Sequence, residues 1–215
     1  MRTQVKIALA AFSLAAAITG PISGCSSSSS ESTPGADSGT PDPDSSTTED
    51  AGTDTATPAP FKLGSTAYAE GATIPTENAC TSQGGGNKSP PLTWGPGPEG
   101  TKSYAIIFRD DTISFLHSVT FDIPVDANEL PGNLAKSYAP AAPAGAKQLK
   151  SYLGTFGYAG PCAPSGTHTY EHVLHALDVA TLPGASMTMT LADAETEIEK
   201  HSLKSTKLTG TYKKP

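Results

Sequence analysis

Residues 61–215 read as a domain of β-strands and long loops, and three observations carry that reading. Glycine and proline make up 29 of these 155 residues, about 19% against an average of roughly 12%, and they punctuate short apolar runs. Several runs alternate apolar and polar residues with the period of a strand. Only one segment keeps a helical period.

The elements can be named in order. Phe61, Leu63 and Ser65 alternate with their neighbours, Tyr104 to Phe108 is a continuous apolar run, and Val119, Phe121 and Ile123 alternate again before Pro124. Leu130 to Gly160 is rich in Ala, Pro and Gly without a clear period, which predicts a surface course. Tyr170 to Leu177 reads as a further strand. The helix starts at Thr190, where Thr190 and Asp193 imitate a capping box and Leu191, Ala194 and Ile198 keep helical spacing. Lys207 to Lys213 closes the chain as a strand.

The 60 residues ahead of the domain have another character. Arg2 and Lys6 precede a twelve-residue apolar run, Ile7 to Ile18, and small residues lead to Cys25. This is a secretory signal layout, and the run is short of the about 20 residues a membrane-spanning helix needs. Ile22-Ser23-Gly24-Cys25 resembles the lipobox of bacterial lipoproteins, which makes residues 1–24 a signal peptide and Cys25 the lipid-bearing first residue of the mature chain. An ordinary secretory cleavage site that contains a cysteine is the plain alternative. Export to a bacterial cell envelope follows, and Ser26 after the cysteine implies the outer membrane where one exists.

Ser26 to Pro60 contains seven acids and no base, Val, Ile, Leu or aromatic residue. It cannot bury enough apolar surface to offset its ordering entropy. Residues 25–60 are therefore expected to form a lipidated, disordered tether with a reach of roughly 30 Å or more. The full chain has a net charge of −7, but Phe61 to Pro215 carries 12 bases and 14 acids. A nearly neutral domain lacks the basic surface that nucleic-acid binding requires.

Four ordered segments carry a family resemblance: Asn87-Lys88-Ser89-Pro90-Pro91-Leu92-Thr93-Trp94; Gly100 to Ile107 leading into Asp110; His117-Ser118-Val119-Thr120-Phe121-Asp122-Ile123-Pro124; and Gly160 to Tyr170 running on to Asp178. Together they resemble the phosphatidylethanolamine-binding protein family, in its bacterial branch of Raf kinase inhibitor-like proteins. The resemblance implies antiparallel β-sheets with a few peripheral helices and one small anion pocket. Carried over by position, that pocket falls on Asp110, His117, the loop Gly160, Pro161, Cys162 and Pro164, then His168 and Tyr170.

Elementary chemistry points the same way. Asp110 ends an apolar run, so its carboxylate should emerge at a sheet edge. His117 shares parity with Val119, Phe121 and Ile123 and so faces inward, where it needs a partner. Asp110 is the expected one, fixing the ring and favouring its protonated form. His168 and Tyr170 share a face, and the non-proline N–H groups of the loop can cradle an oxyanion. Within the resemblance, Thr112 stands where a second aspartate is usual, Thr169 replaces an arginine, and Leu116 and Ser118 replace aromatics beside the histidine. Those changes remove groups that order a head group.

Cys80 and Cys162 are left once Cys25 is assigned to the anchor, and in an exported domain they are expected to form one disulfide. Neither has the close Cys or His spacing of a zinc site, and no cofactor is expected. His172, His175 and His201 receive no ligand role. The leading functional reading is a non-catalytic, membrane-tethered module that binds a small anion, a phosphate, carboxylate or phospholipid head group, free or displayed on a partner protein. An Asp110/His117 acid–base hydrolase of phosphoesters or glycosides is the second reading, and a structural envelope protein with a vestigial pocket is the third.

Overall fold

The alternating and apolar runs pair into two antiparallel sheets in the computed structural model, which describes residues 59–215. The signal segment 1–24, Cys25 and the tether through residue 58 lie outside the described residues. In chain order the strands are Leu63–Gly64 (β1), Leu92–Trp94 (β2), Ser103–Asp110 (β3), Phe115–Pro124 (β4), Glu129–Leu130 (β5), Lys147–Gln148 (β6), Thr167–Leu177 (β7) and Ser202–Lys213 (β8). One α-helix, Leu191–Lys200 (α1), and two 3-10 turns, Thr76–Asn78 and Thr81–Gln83, complete the described elements. The small sheet runs β1-β2-β5 and the large one β6-β4-β3-β7-β8.

β3 is the middle strand of the large sheet and is covered on both faces. Tyr104, Ile106 and Phe108 join a cluster with Leu63, Leu92, Trp94 and Leu130 of the small sheet. Ala105 and Ile107 join Val119, Phe121, Ala194 and Ile198 on the side of α1. A strand buried on both faces needs no alternation, so its sequence is a continuous apolar run. Its end, at Asp110, therefore lies mid-sheet and not at the sheet edge expected from the sequence.

Two register shifts decide what β4 shows to each face. Tyr104 pairs with Ile123 and Ile106 with Thr120, so Ala105 faces both Phe121 and Asp122, with Asp122 at a φ of 52°. Phe108 pairs with Ser118 and Arg109 with Leu116, which leaves His117 as an extra residue. Such a bulge re-aims the side chain it carries. The parity expectation therefore fails in detail: Val119 and Phe121 pack toward α1, Ile123 packs between the sheets, and His117 meets the rings of Phe108 and Tyr170.

The helix begins where its cap predicts. Thr190 Oγ1 accepts from the Asp193 N–H at 3.1 Å and donates to the Asp193 carboxylate at 2.7 Å. Ala194 and Ile198 are buried against the large sheet. At its C-terminal end His201 is held by Asp178 at 2.8 Å and Glu197 at 3.2 Å.

The stretch from Leu130 to Gly160 departs from the expected surface course. Leu134, Ala146, Leu149, Tyr158 and Ala159 are buried, and Lys147–Gln148 adds an edge strand to the large sheet. The buried Gln148 side chain ties the stretch together: its Nε2 donates to the carbonyls of Ala135 and Ser137 at 2.7 and 2.9 Å. Short insertions anchored one residue at a time leave no period to read.

Candidate functional site

Antiparallel pairing brings the end of β3 beside the starts of β4 and β7, with Asp110 opposite both Phe115 and Tyr170. The small sheet does not pair there, and a cavity of about 180 Å³ opens. Its lining comprises Asp110, Ile113, Phe115, His117, Tyr152, Cys162 and Pro164. Four of the expected residues thus meet there: Asp110, His117, Cys162 and Pro164. His168, Tyr170, Gly160 and Pro161 are outside that lining; the first two hydrogen-bond to Asp110 and Cys162, which form it.

Asp110 does not hold His117. The carboxylate is 1% exposed, and its Oδ2 accepts from His168 Nδ1 at 2.6 Å. Its Oδ1 accepts from the Thr112 N–H at 3.1 Å. Both carboxylate oxygens thus accept hydrogen bonds from His168 and Thr112, and neither is bonded to His117.

His117 finds its partner in the loop before the disulfide. Nδ1 donates to the Ala159 carbonyl at 3.0 Å, so in the neutral ring the proton sits on Nδ1 and Nε2 is a bare acceptor. Burial pushes the imidazole below its ordinary value of 6.5, against smaller upward pulls from the Ala159 carbonyl and the Asp110 charge. The expected gain from Asp110 is present but burial outweighs it. At neutral pH His117 is an uncharged acceptor, not the imidazolium that the sequence suggested.

The Gly160 to Pro164 loop is pinned, and most of its donors are occupied. Gly160 N–H donates to Asn87 Oδ1 at 2.8 Å, and Cys162 N–H donates to the Tyr170 hydroxyl at 3.3 Å. Pro161 and Pro164 have no N–H, which leaves Ala163 and corrects the picture of a free oxyanion cradle. Gly160 is required by close approach, because a Cβ there would stand 2.0 Å from the Asn78 carbonyl oxygen. Cys80 and Cys162 are bridged with Cα atoms 5.4 Å apart, which ties this loop to the segment ahead of Asn87. Tyr170 is fully buried, and burial together with the nearby Asp110 charge keeps its phenol protonated.

The aromatic wall that Leu116 and Ser118 seemed to forfeit is rebuilt from elsewhere. Tyr152 and Phe115 meet the His117 ring edge-on, with centroids 4.7 and 5.5 Å away. Phe115 was readable as a neighbour of His117, but Tyr152 comes from the aperiodic stretch and carried no sequence signal. The Tyr152 hydroxyl is buried without a hydrogen-bond partner among the described residues. The two threonine departures hold one another: Thr169 N–H donates to Thr112 Oγ1 at 2.8 Å, and Asp111 N–H donates to the Thr169 carbonyl at 2.9 Å. Lys214 was also missed; its ammonium donates to the Pro164 carbonyl at 3.1 Å and brings a cation to the loop.

The family profile described as phosphatidylethanolamine-binding protein matches residues 64–213. The chain belongs to that family. Among curated members, a UPF0098 protein of Methanothermobacter thermautotrophicus is 40% identical over 146 residues, covering 66% of this chain and 91% of the relative. LppC of Mycobacterium tuberculosis, whose name marks it as a candidate lipoprotein, is 34% identical over 147 residues, covering 65% of this chain and 68% of the relative. The crystal structure of Escherichia coli YbcL, described as a new member of the mammalian PEBP family, superimposes with a TM-score of 0.65 at 29% identity. It covers 71% of this chain and 98% of YbcL. In this member of the phosphatidylethanolamine-binding protein family, no group of three or more His, Cys, Asp or Glu residues that could hold a metal occurs among the described residues.

Proposed function

We propose that the domain is a non-catalytic binding module that takes one small oxyanion, a phosphate or carboxylate free in solution or displayed on a partner protein. The observation that carries this reading is His117, whose Nδ1 is committed to the Ala159 carbonyl while its ring lines a 180 Å³ cavity. That volume is below the roughly 300–1,000 Å³ of sites that engulf larger ligands. Neutral His117 Nε2 accepts the O–H of a monoprotonated oxyanion, and protonated His117 donates to a deprotonated one. Lys214, bonded to the carbonyl of the cavity residue Pro164, supplies positive potential. The family's own description names a binding function, which favours binding over turnover.

The module is carried on a lipid at Cys25, held off an envelope membrane by residues 26–60. The lipoprotein name of LppC supports an anchored form. Cell fractionation of Cys25→Ser checks it: release from the membrane is expected, and undiminished membrane association refutes the anchor.

Burial moves the His117 transition below its ordinary 6.5, and the imidazolium adds a charged donor for the oxyanion, so affinity for phosphate should be higher at pH 5.5 than at pH 8. Calorimetric titration at pH 5.5 and 8 on the parent and His117→Ala tests this. Equal affinity in both proteins removes His117 from the site, and hydrolysis of a phosphoester lost in His117→Ala replaces the binding reading with an enzymatic one.

A further inference from the structure

Six large apolar side chains stand exposed among the described residues, and two of them line one cavity. Ile113 is 54% and Phe115 42% exposed. Both line the cavity together with Tyr152. The turns that hold them are bonded. Asp111 N–H donates to the Thr169 carbonyl at 2.9 Å and Gly154 N–H to the Ser151 carbonyl at 2.8 Å. The two turns also touch, since the Phe115 and Tyr152 rings meet edge-on at 5.3 Å.

Single exposed apolar residues are ordinary, but a collar of them around a concave polar floor marks ligand contact. The charges sharpen the ligand's description. Asp110 is the only carboxylate in the lining, and both of its oxygens are already bonded within the protein. A ligand ammonium meets one carboxylate in the lining, already bonded to His168 and Thr112, whereas a ligand hydrocarbon meets the larger apolar surface of Ile113, Phe115 and Tyr152.

We infer that the pocket takes an oxyanion carried directly on a short apolar group, an alkyl or aryl phosphate or carboxylate, in preference to bare phosphate or to a phosphate ester of an amino alcohol. This rests on the oxyanion reading of the same pocket. The oxyanion sits at His117 and the hydrocarbon lies across the collar, releasing water from both surfaces.

Calorimetric titration of the full chain with inorganic phosphate, phosphoethanolamine, n-butyl phosphate, acetate and pentanoate tests it. Partial burial of the butyl chain is expected to make n-butyl phosphate about tenfold tighter than inorganic phosphate, and tighter than phosphoethanolamine. Pentanoate against acetate reads the same contrast for a carboxylate source. Ile113→Ser and Phe115→Ser, both at exposed positions, are expected to reduce the butyl advantage to less than about threefold. Two results overturn the inference while leaving the oxyanion pocket in place: equal affinity for all phosphates in the parent, or tightest binding of phosphoethanolamine, with binding lost in His117→Ala. If none of the probes binds, the oxyanion reading fails and this inference fails with it.

Discussion

His117 and His172 both pack on Phe108, with ring centroids 5.4 and 4.2 Å away, yet they serve different regions. His117 lies at the strand ends, where the cavity opens. His172 lies within the interior between the sheets, where its Nδ1 meets the Tyr68 hydroxyl at 2.9 Å. Tyr68 is kept protonated by burial and the nearby Glu70 charge and has no other hydrogen-bond acceptor for its hydroxyl among the described residues, so it donates and His172 carries its proton on Nε2. His117 has the opposite tautomer. The same residue type on the same phenyl ring thus lines the 180 Å³ cavity at the strand ends and a smaller one of about 30 Å³ in the interior. The difference comes from which ring nitrogen the backbone or a neighbouring hydroxyl claims, and from how much space the ring is left.

The largest way to stress the comparison is acid. Burial holds His172 at about 3, with a smaller contribution from His117, and burial holds His175 at about 4. The unfolded chain protonates both near pH 6.5. Between those values the unfolded state binds more protons, so stability falls as pH falls, by about 1 kcal/mol per pH unit for each ring. Urea denaturation from pH 7 to 4.5 is expected to show this slope, and His172→Phe is expected to reduce it; an unchanged slope means that His172 is not held neutral.

Phe108→Ala removes the ring that both histidines share and should cost about 3–5 kcal/mol in the same denaturation experiment. A loss under about 1 kcal/mol would mean that the two regions do not lean on a common core residue. Replacing both Cys80 and Cys162 with Ser should cost about 2–4 kcal/mol and weaken phosphate binding, because the bridge ties down the loop beside the cavity. Stability lost without any change in affinity would separate the loop's structural role from binding.

Tyr68→Phe tests the interior alone. Leaving the buried His172 Nδ1 without its donor should cost about 1–3 kcal/mol with phosphate affinity intact. Tyr152→Phe is the smallest and the converse. Its hydroxyl has no protein partner among the described residues, so stability should move by less than about 0.5 kcal/mol, while affinity for phosphate falls if that hydroxyl reaches the bound oxyanion. Thermal melts and calorimetry on the two variants read both quantities.

Much of this architecture was legible before any coordinates. β3, β4, β7 and the second half of β8 followed from apolar and alternating runs, the helix start from Thr190 and Asp193, the family from four ordered segments, and the disulfide from two cysteines left in a domain read as exported. These are signals local in sequence, or pairings with one available solution. Burial of the Leu130 to Gly160 stretch was not legible, because it is anchored through single residues such as Leu134, Gln148 and Leu149 and not through a repeating face.

By itself the sequence determined which residues could form the site: an aspartate ending the central strand, a histidine opening the next, and a His-x-Tyr strand beside a proline-rich loop. Only the tertiary structure decided who bonds whom. The unpaired residue in β4 turned His117 toward Phe108 and Tyr170, register across β3 and β7 gave Asp110 to His168, and the loop supplied the Ala159 carbonyl and the Tyr152 wall. Residue type and spacing fix what a side chain can donate or accept. A register shift of one residue changes the face on which it does so, and that shift is set by packing of the whole sheet and not by any local run of amino acids.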